Sequence, residues 1–221
     1  LGYNIIFIVL GTVLAIAVAI LLNEIRSTMG KKVYQTLILV PFLISIVVVS
    51  YLVYGFLSTD AGFINNSILK PMGKEAIGWY SNAKYWPFIL IFVNIWKNLG
   101  YNCIIYYATV VGLDASLYES ASIDGANRWQ QFWHITLPQL RPTTFFVVIM
   151  LTISGFKVYD QMYMITQGGP GTATMTLVYY IYNVAFVNTP KYGYASAISM
   201  VLFVLVLIVT IIQFRGSKGE N

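Results

Sequence analysis

The stretch NIIFIVLGTVLAIAVAILL, Asn4 to Leu22, carries no charged side chain, and Asn4 and Thr12 are its only polar residues. Its 19 residues, as a helix, would rise about 28 Å, close to the roughly 30 Å hydrocarbon core of a bilayer. Four further stretches read the same way: Leu37 to Leu57, Trp86 to Val111, Thr143 to Ile165 and Gly193 to Phe214. The expectation is an all-α membrane protein, a helical bundle with five visible spans. A β-barrel would instead show alternating segments of about ten residues, and none is present.

Composition agrees with this reading. The 221 residues are 58% hydrophobic and 10% charged, with mean hydropathy +0.72, against roughly 25% charged in soluble domains. The chain opens at Leu1 with almost no polar lead, so a further helix is expected before it. The first span is too long for a signal-peptide core and lacks a basic flank. One cysteine and one histidine, Cys103 and His134, exclude a disulfide framework and a Cys/His metal cluster within this chain. Gly30-Lys31 and Gly73-Lys74 lack the other residues of a phosphate-binding loop. The sequon Asn65-Asn66-Ser67 carries no weight by itself.

Basic residues near span ends set orientation. Arg26, Lys31, Lys32, Arg128, Arg141, Arg215 and Lys218 fall on one side, and Lys70, Lys74, Lys84 and Lys191 on the other, with every arginine in the first group. The segment 112–142 and the C-terminal tail are therefore expected in the cytoplasm. Trp79, Tyr80, Tyr85 and Trp86 form an aromatic belt at the opposite face. The net charge of +5 suits contact with anionic lipid, and no basic run interleaved with aromatics suggests nucleic acid.

The segment 112–142 is long for an unstructured connection. Ser116 to Glu119 has the spacing of a capping box, predicting a short helix to about Ile123, broken at Asp124-Gly125. A second helix from Ala126 would set Trp129, Phe132 and Trp133 on one face and end at Pro138. That face suits either the lipid interface or a soluble partner, and Glu119 suits either the cap or a partner.

Glu119-Ser120-Ala121, three residues, Gly125, nine residues and Ile135-Thr136-Leu137-Pro138 resemble the EAA loop of bacterial ABC importer permeases. Ser120 stands where alanine is usual. Ile95 to Tyr101, Phe156 to Pro170 and Tyr192 to Ala197 resemble further motifs of MalF/UgpA-type sugar permeases. The resemblance covers most of 90–200. It implies one permease domain over 1–221 in a bacterial cell membrane, with six core spans, and a coupling helix formed by Glu119, Ser120, Ala121, Asp124, Gly125, Trp129, Phe132, Trp133, Ile135, Leu137 and Pro138. It also implies a second, different permease subunit, two cytoplasmic ATPases that use ATP and magnesium, an external solute-binding protein and a saccharide substrate. No cofactor is expected on this chain, and it is not expected to be an enzyme.

Polar residues inside spans are expensive and usually face the bundle interior. Asn94, Asn98 and Asn102 form one stripe, with Lys97 and Tyr101 beside it. Lys157, Tyr159 and Asp160 lie in the next span, where the i, i+3 spacing of Lys157 and Asp160 would allow mutual neutralisation. These eight are candidates for the substrate pathway. Interhelical hydrogen bonding is the equal alternative for the asparagines. Excess cationic charge would suit an acidic saccharide such as a uronate. An ion-coupled secondary transporter and a membrane glycosyltransferase are the rival classes, and neither accounts for the loop spacing.

Overall fold

The computed structural model describes residues 2–187 and 189–218, and it is helical with no strand among them. The elements are α1 (Gly2–Glu24), α2 (Thr28–Leu43), α3 (Ile46–Leu57), α4 (Trp86–Val111), α5 (Ala115–Ile123), α6 (Arg128–Gln131), α7 (Leu137–Gln139), α8 (Arg141–Phe156), α9 (Asp160–Thr166), α10 (Leu177–Tyr182) and α11 (Tyr192–Lys218). Among the described residues three helices are long and apolar enough to cross a membrane: Gly2–Glu24, Trp86–Val111 and Tyr192–Gly216. Counting bent pairs as single spans raises the number to five.

Two of the expected spans are broken. The stretch 37–57 is divided at Ile44-Ser45, with Pro41 inside α2. Proline offers no amide and its ring crowds the carbonyl one turn back, so the ladder weakens there. Ser45 then starts α3 afresh, its hydroxyl accepting from the Val48 amide at 3.4 Å. The stretch 143–165 is divided at 157–159, between α8 and α9. The 16 residues of α8 rise only about 24 Å, and the Thr176 hydroxyl donates to the Val158 carbonyl at 2.7 Å, occupying an acceptor that a continuing helix would need.

The chain falls into two units, Leu1–Leu43 with Asn94–Leu151 and Ile44–Val93 with Thr152–Asn221. In the first, Ala15, Ala19 and Leu22 of α1 are buried with Cys103, Tyr106 and Val110 of α4 and with Leu140 and Val147. Small side chains on α1 leave room for the bulk of Tyr106. At Gly100 a β-carbon would collide with the Ile38 backbone carbonyl. The backbones of α2 and α4 therefore meet there without an intervening side chain.

In the second unit α9 buries Gln161, Met162, Ile165 and Thr166. The buried Gln161 amide donates to the Leu90 carbonyl at 3.0 Å. The loop after α3 is organised by Asn65, which is 3% exposed. Its amide nitrogen donates to the carbonyls of Thr59 at 3.1 Å and Ile77 at 3.0 Å, and its oxygen accepts from the Ile77 amide at 3.1 Å and Trp79 Nε1 at 3.2 Å. The sequon asparagine is thus a fully engaged structural residue. A glycan has no access to it.

Candidate functional site

Segment 112–142 folds as helix, turn, helix, but its first cap is not the expected one. Asp114 opens α5, its Oδ1 accepting from the Ser116 amide at 2.9 Å. The charged acceptor outcompetes the Ser116 hydroxyl for the first free amides. Glu119 is exposed and forms neither the cap nor an ion pair among the described residues. The capping box instead lies one helix later. Gln130 N donates to Asn127 Oδ1 at 2.9 Å, and Asn127 N donates to Gln130 Oε1 at 2.8 Å.

The hydrogen bond from Ser116 holds the Asp114 carboxyl below its usual pKa. A depressed acid pKa contributes stability above the unfolded value, near 3.9, and loses it as pH falls through the folded one. Amide protection across the first turn of α5, taken relative to the free-peptide exchange rate at the same pH, should therefore fall below about pH 4, and in Asp114→Asn this loss should disappear.

The turn at Asp124-Gly125 ends α5 by a Schellman closure. Ala126 N donates to the Ala121 carbonyl at 2.9 Å and Gly125 N to that of Ser122 at 3.1 Å. Gly125 has φ +82°, with nothing within 4 Å of where a β-carbon would stand. Ala121, Asp124, Gly125, Gln130, His134 and Ile135 line a depression of about 320 Å³. On the second arm Trp129, Phe132 and Trp133 form the expected cluster, with ring centroids 5.2 to 5.7 Å apart. Trp129 is 68% exposed and Trp133 48%.

Pro138 does not end this arm, since helical structure continues through α7 to Gln139. Lacking an amide at Pro138, the ladder widens to a π-turn over Phe132–Thr136, and Leu137 N donates to the Phe132 carbonyl. Ser120 Oγ donates to the Ser116 carbonyl at 2.8 Å. The arms are joined by Gln131 Nε2 donating to Ser122 Oγ at 2.9 Å and by the Tyr118 and Thr136 hydroxyls, 2.9 Å apart. Arg128 reaches Glu24 at the end of α1 with an N to O distance of 2.7 Å. Both partners are exposed, so this pair is worth no more than about 1 kcal/mol.

Five substrate-pathway candidates lie on α4. Asn98 Nδ2 donates to the Asn94 carbonyl at 2.9 Å, and Asn102 is buried. Lys97 Nζ donates to the Phe42 carbonyl at 3.0 Å and the Pro41 carbonyl at 3.5 Å, and lies 5.9 Å from the Phe42 ring centroid. Tyr101 stacks on the same ring at 4.8 Å. The other three sit at the break before α9. Lys157 and Asp160 are exposed and do not neutralise each other, because α8 stops at Phe156 and no single helix face carries both. Asp160 Oδ1 accepts from the Gln161 amide at 2.9 Å. Tyr159 stacks on Tyr163 at 5.4 Å and meets Tyr179 and Tyr182.

Gly168 to Gly171 make a chain reversal after α9. Thr174 Oγ1 donates to the Gly169 carbonyl at 2.9 Å, and Gly168 at φ +81° abuts the Tyr179 ring. Sequence reasoning missed Asn65, Gln161 and Gln167. Asn65 stood out only as a sequon. Gln161 carried one usable sign, an uncharged amide at the head of the apolar run Met162 to Ile165.

Residues 7–216 match the family of binding-protein-dependent transport system inner membrane components, and the chain belongs to that family. It is similar to the lactose transport system permease protein LacF of Rhizobium radiobacter, with 34% identity over 99% of this chain and 75% of LacF. It is 32% identical to the arabinooligosaccharides transport system permease protein AraP of Bacillus subtilis, over 92% of this chain and 66% of AraP. The chain thus spans about two thirds to three quarters of the length of these relatives. Its structure superposes on a chain of a bacterial ABC transporter involved in the import of the acidic polysaccharide alginate, with TM-score 0.90 and 29% identity. That match covers 100% of this chain and 77% of the other.

Proposed function

We propose that this chain is the permease subunit of an ATP-driven importer of sugars or oligosaccharides, forming half of the translocation pathway, and that segment 112–142 is its cytoplasmic coupling element. The observation that carries the coupling assignment is Glu119. Exposed and, among the described residues, used by neither cap nor ion pair, it stands on α5, the helix that leads into the closed turn. A side chain without those uses is available to a partner.

Ser120, Ala121, Asp124 and Gly125 form the bend, while Ile135, Leu137 and Pro138 return the chain toward α8. Trp129, Phe132 and Trp133 supply the surface gripped by an ATPase. The assembly comprises this chain, a second and different permease, two ATPases carrying ATP and magnesium, and a solute-binding protein outside. The basic-residue bias supports a cytoplasmic coupling element and C-terminus. Asn94, Lys97, Asn98, Tyr101, Asn102, Lys157, Tyr159 and Asp160 contribute to the pathway. The amides of Asn94, Asn98 and Asn102 offer the paired donors and acceptors that hydroxyl arrays require.

ATP-driven closure shifts the permease only through contacts that differ between its two states. Replacing Trp129 and Trp133 together by serine should lower recovery of ATPase on the purified permease at least about tenfold, as interface aromatics commonly carry about 2 kcal/mol or more each. Reconstitution in liposomes tests the whole reading. Saccharide uptake should require both internal ATP and the external binding protein. Uptake that persists without ATP and follows an ion gradient would overturn it in favour of secondary transport.

A further inference from the structure

The N-terminal and middle turns of α3 and the C-terminal turn of α9 meet over a cavity of about 540 Å³ within the second unit, lined by Ser50, Tyr51, Tyr54, Tyr80, Thr166 and Gln167 among others. Its volume lies in the range of small-molecule sites, and no charged side chain lines it. None of its residues is among those assigned above to coupling or to the substrate pathway.

Three features point to a ligand with ring faces and hydroxyls. Tyr51 is 73% exposed and Tyr54 56%, so large aromatic surfaces face the cavity without burial in the protein's own core. Tyr54 meets Tyr80 edge to face at 5.9 Å, and Tyr80 meets the buried Trp86 at 4.9 Å, which holds this wall in place. Burial, with Tyr54 nearby, raises the Tyr80 hydroxyl pKa to about 12, so it remains a proton donor.

Gln167 supplies the third feature. It has φ +50° and is the only non-glycine with positive φ among the described residues. Glycine would adopt this backbone without strain. A glutamine there sets an amide, both donor and acceptor, at the rim beside the tyrosines. Ser50 Oγ donates to the Val47 carbonyl at 2.7 Å, which leaves its oxygen as an acceptor toward the cavity.

We infer that this cavity is a saccharide subsite that holds one uncharged ring face of an oligosaccharide, with Tyr51 and Tyr54 against the ring and Gln167 on its hydroxyls. This rests on the saccharide-importer reading and adds to it a second contact zone, used by longer substrates and dispensable for the shortest. In the orientation proposed above, Tyr80 and Gln167 stand in or beside external loops, so the subsite lies toward the outer mouth.

The test is ATP-driven uptake by the complete transporter in liposomes, with lactose, maltotriose and a maltopentaose as probes beside alginate disaccharide and pentasaccharide. Tyr54→Ala and Gln167→Ala should each raise KM for the longest transported probe by about tenfold, equivalent to about 1.4 kcal/mol. They should leave KM for the shortest transported probe within about twofold, and Tyr54→Phe should retain most of the longer probe's affinity. An equal change for all lengths, or no change, overturns the subsite while leaving the importer reading intact. Wild-type protein that moves none of the probes overturns both.

Discussion

Valine at position 125 should cut ATP-driven uptake by about tenfold or more while the solute-binding protein keeps its affinity for the saccharide. Gly125 lies at φ +82° and closes the Schellman turn between the two arms of segment 112–142. A non-glycine residue held there costs roughly 1–3 kcal/mol, and β-branching is the least tolerated case. The closed turn then loses at least about fivefold in population, and α5 loses its fixed relation to the arm that carries Trp129. Because nothing lies within 4 Å of the added β-carbon, the effect comes from backbone conformation and not from collision inside the chain. Asparagine, which tolerates the left-handed region, should therefore retain much of the uptake that valine abolishes. Normal ATP-driven uptake by Gly125→Val would overturn the coupling assignment. Equal failure of Gly125→Asn and Gly125→Val would place the cause in contact with the ATPase.

The second large effect concerns stability. Gly100→Ala should destabilise the protein by about 2–3 kcal/mol, the cost of inserting a methyl group where nothing can yield. Its β-carbon would meet the Ile38 backbone carbonyl, which cannot rotate away as a side chain could. The loss should register as a clear fall in the thermal unfolding midpoint of the detergent-solubilised protein. Gly55→Ala on α3, where a β-carbon meets nothing within 4 Å, serves as the control. An unchanged midpoint in Gly100→Ala would contradict the close approach of α2 and α4.

The long helices and segment 112–142 were legible for different reasons. Long apolar runs fix α1, α4 and α11 because a bilayer demands length and leaves few alternatives. The bend at Gly125 and the aromatic arm follow from local rules, since one glycine and an i, i+3, i+4 spacing suffice. The misreadings occur where local signals compete. Ser116 and Asp114 can both cap α5, and the charged side chain wins. Pro138 looks like a stop, yet near the start of a helical turn its missing amide is tolerated.

The break at 157–159 has a different origin. Val158 is apolar and its neighbours look helical, but the Thr176 hydroxyl takes its carbonyl from 18 residues away. No local window contains that information. Asn65 is illegible for the same reason, as three of its partners are Thr59, Ile77 and Trp79. The candidate stripe Asn94, Asn98 and Asn102 was readable as a helix face, whereas the use of Lys97 was not.

Lys97 bears on how selectivity for the charge of the cargo could arise. Its ammonium group donates to the carbonyls of Pro41 and Phe42, where α2 ends and its last carbonyls lack intrahelical donors. A cation committed in this way acts as a clasp on a helix terminus, and its field at a passing solute is offset by the dipoles it neutralises. Variants of Lys97 that lose uptake would thus report a loosened α2 before they report a preference for uronates. The same clasp serves an anionic chain and a neutral one equally, so discrimination between them belongs to groups not already spent on the fold.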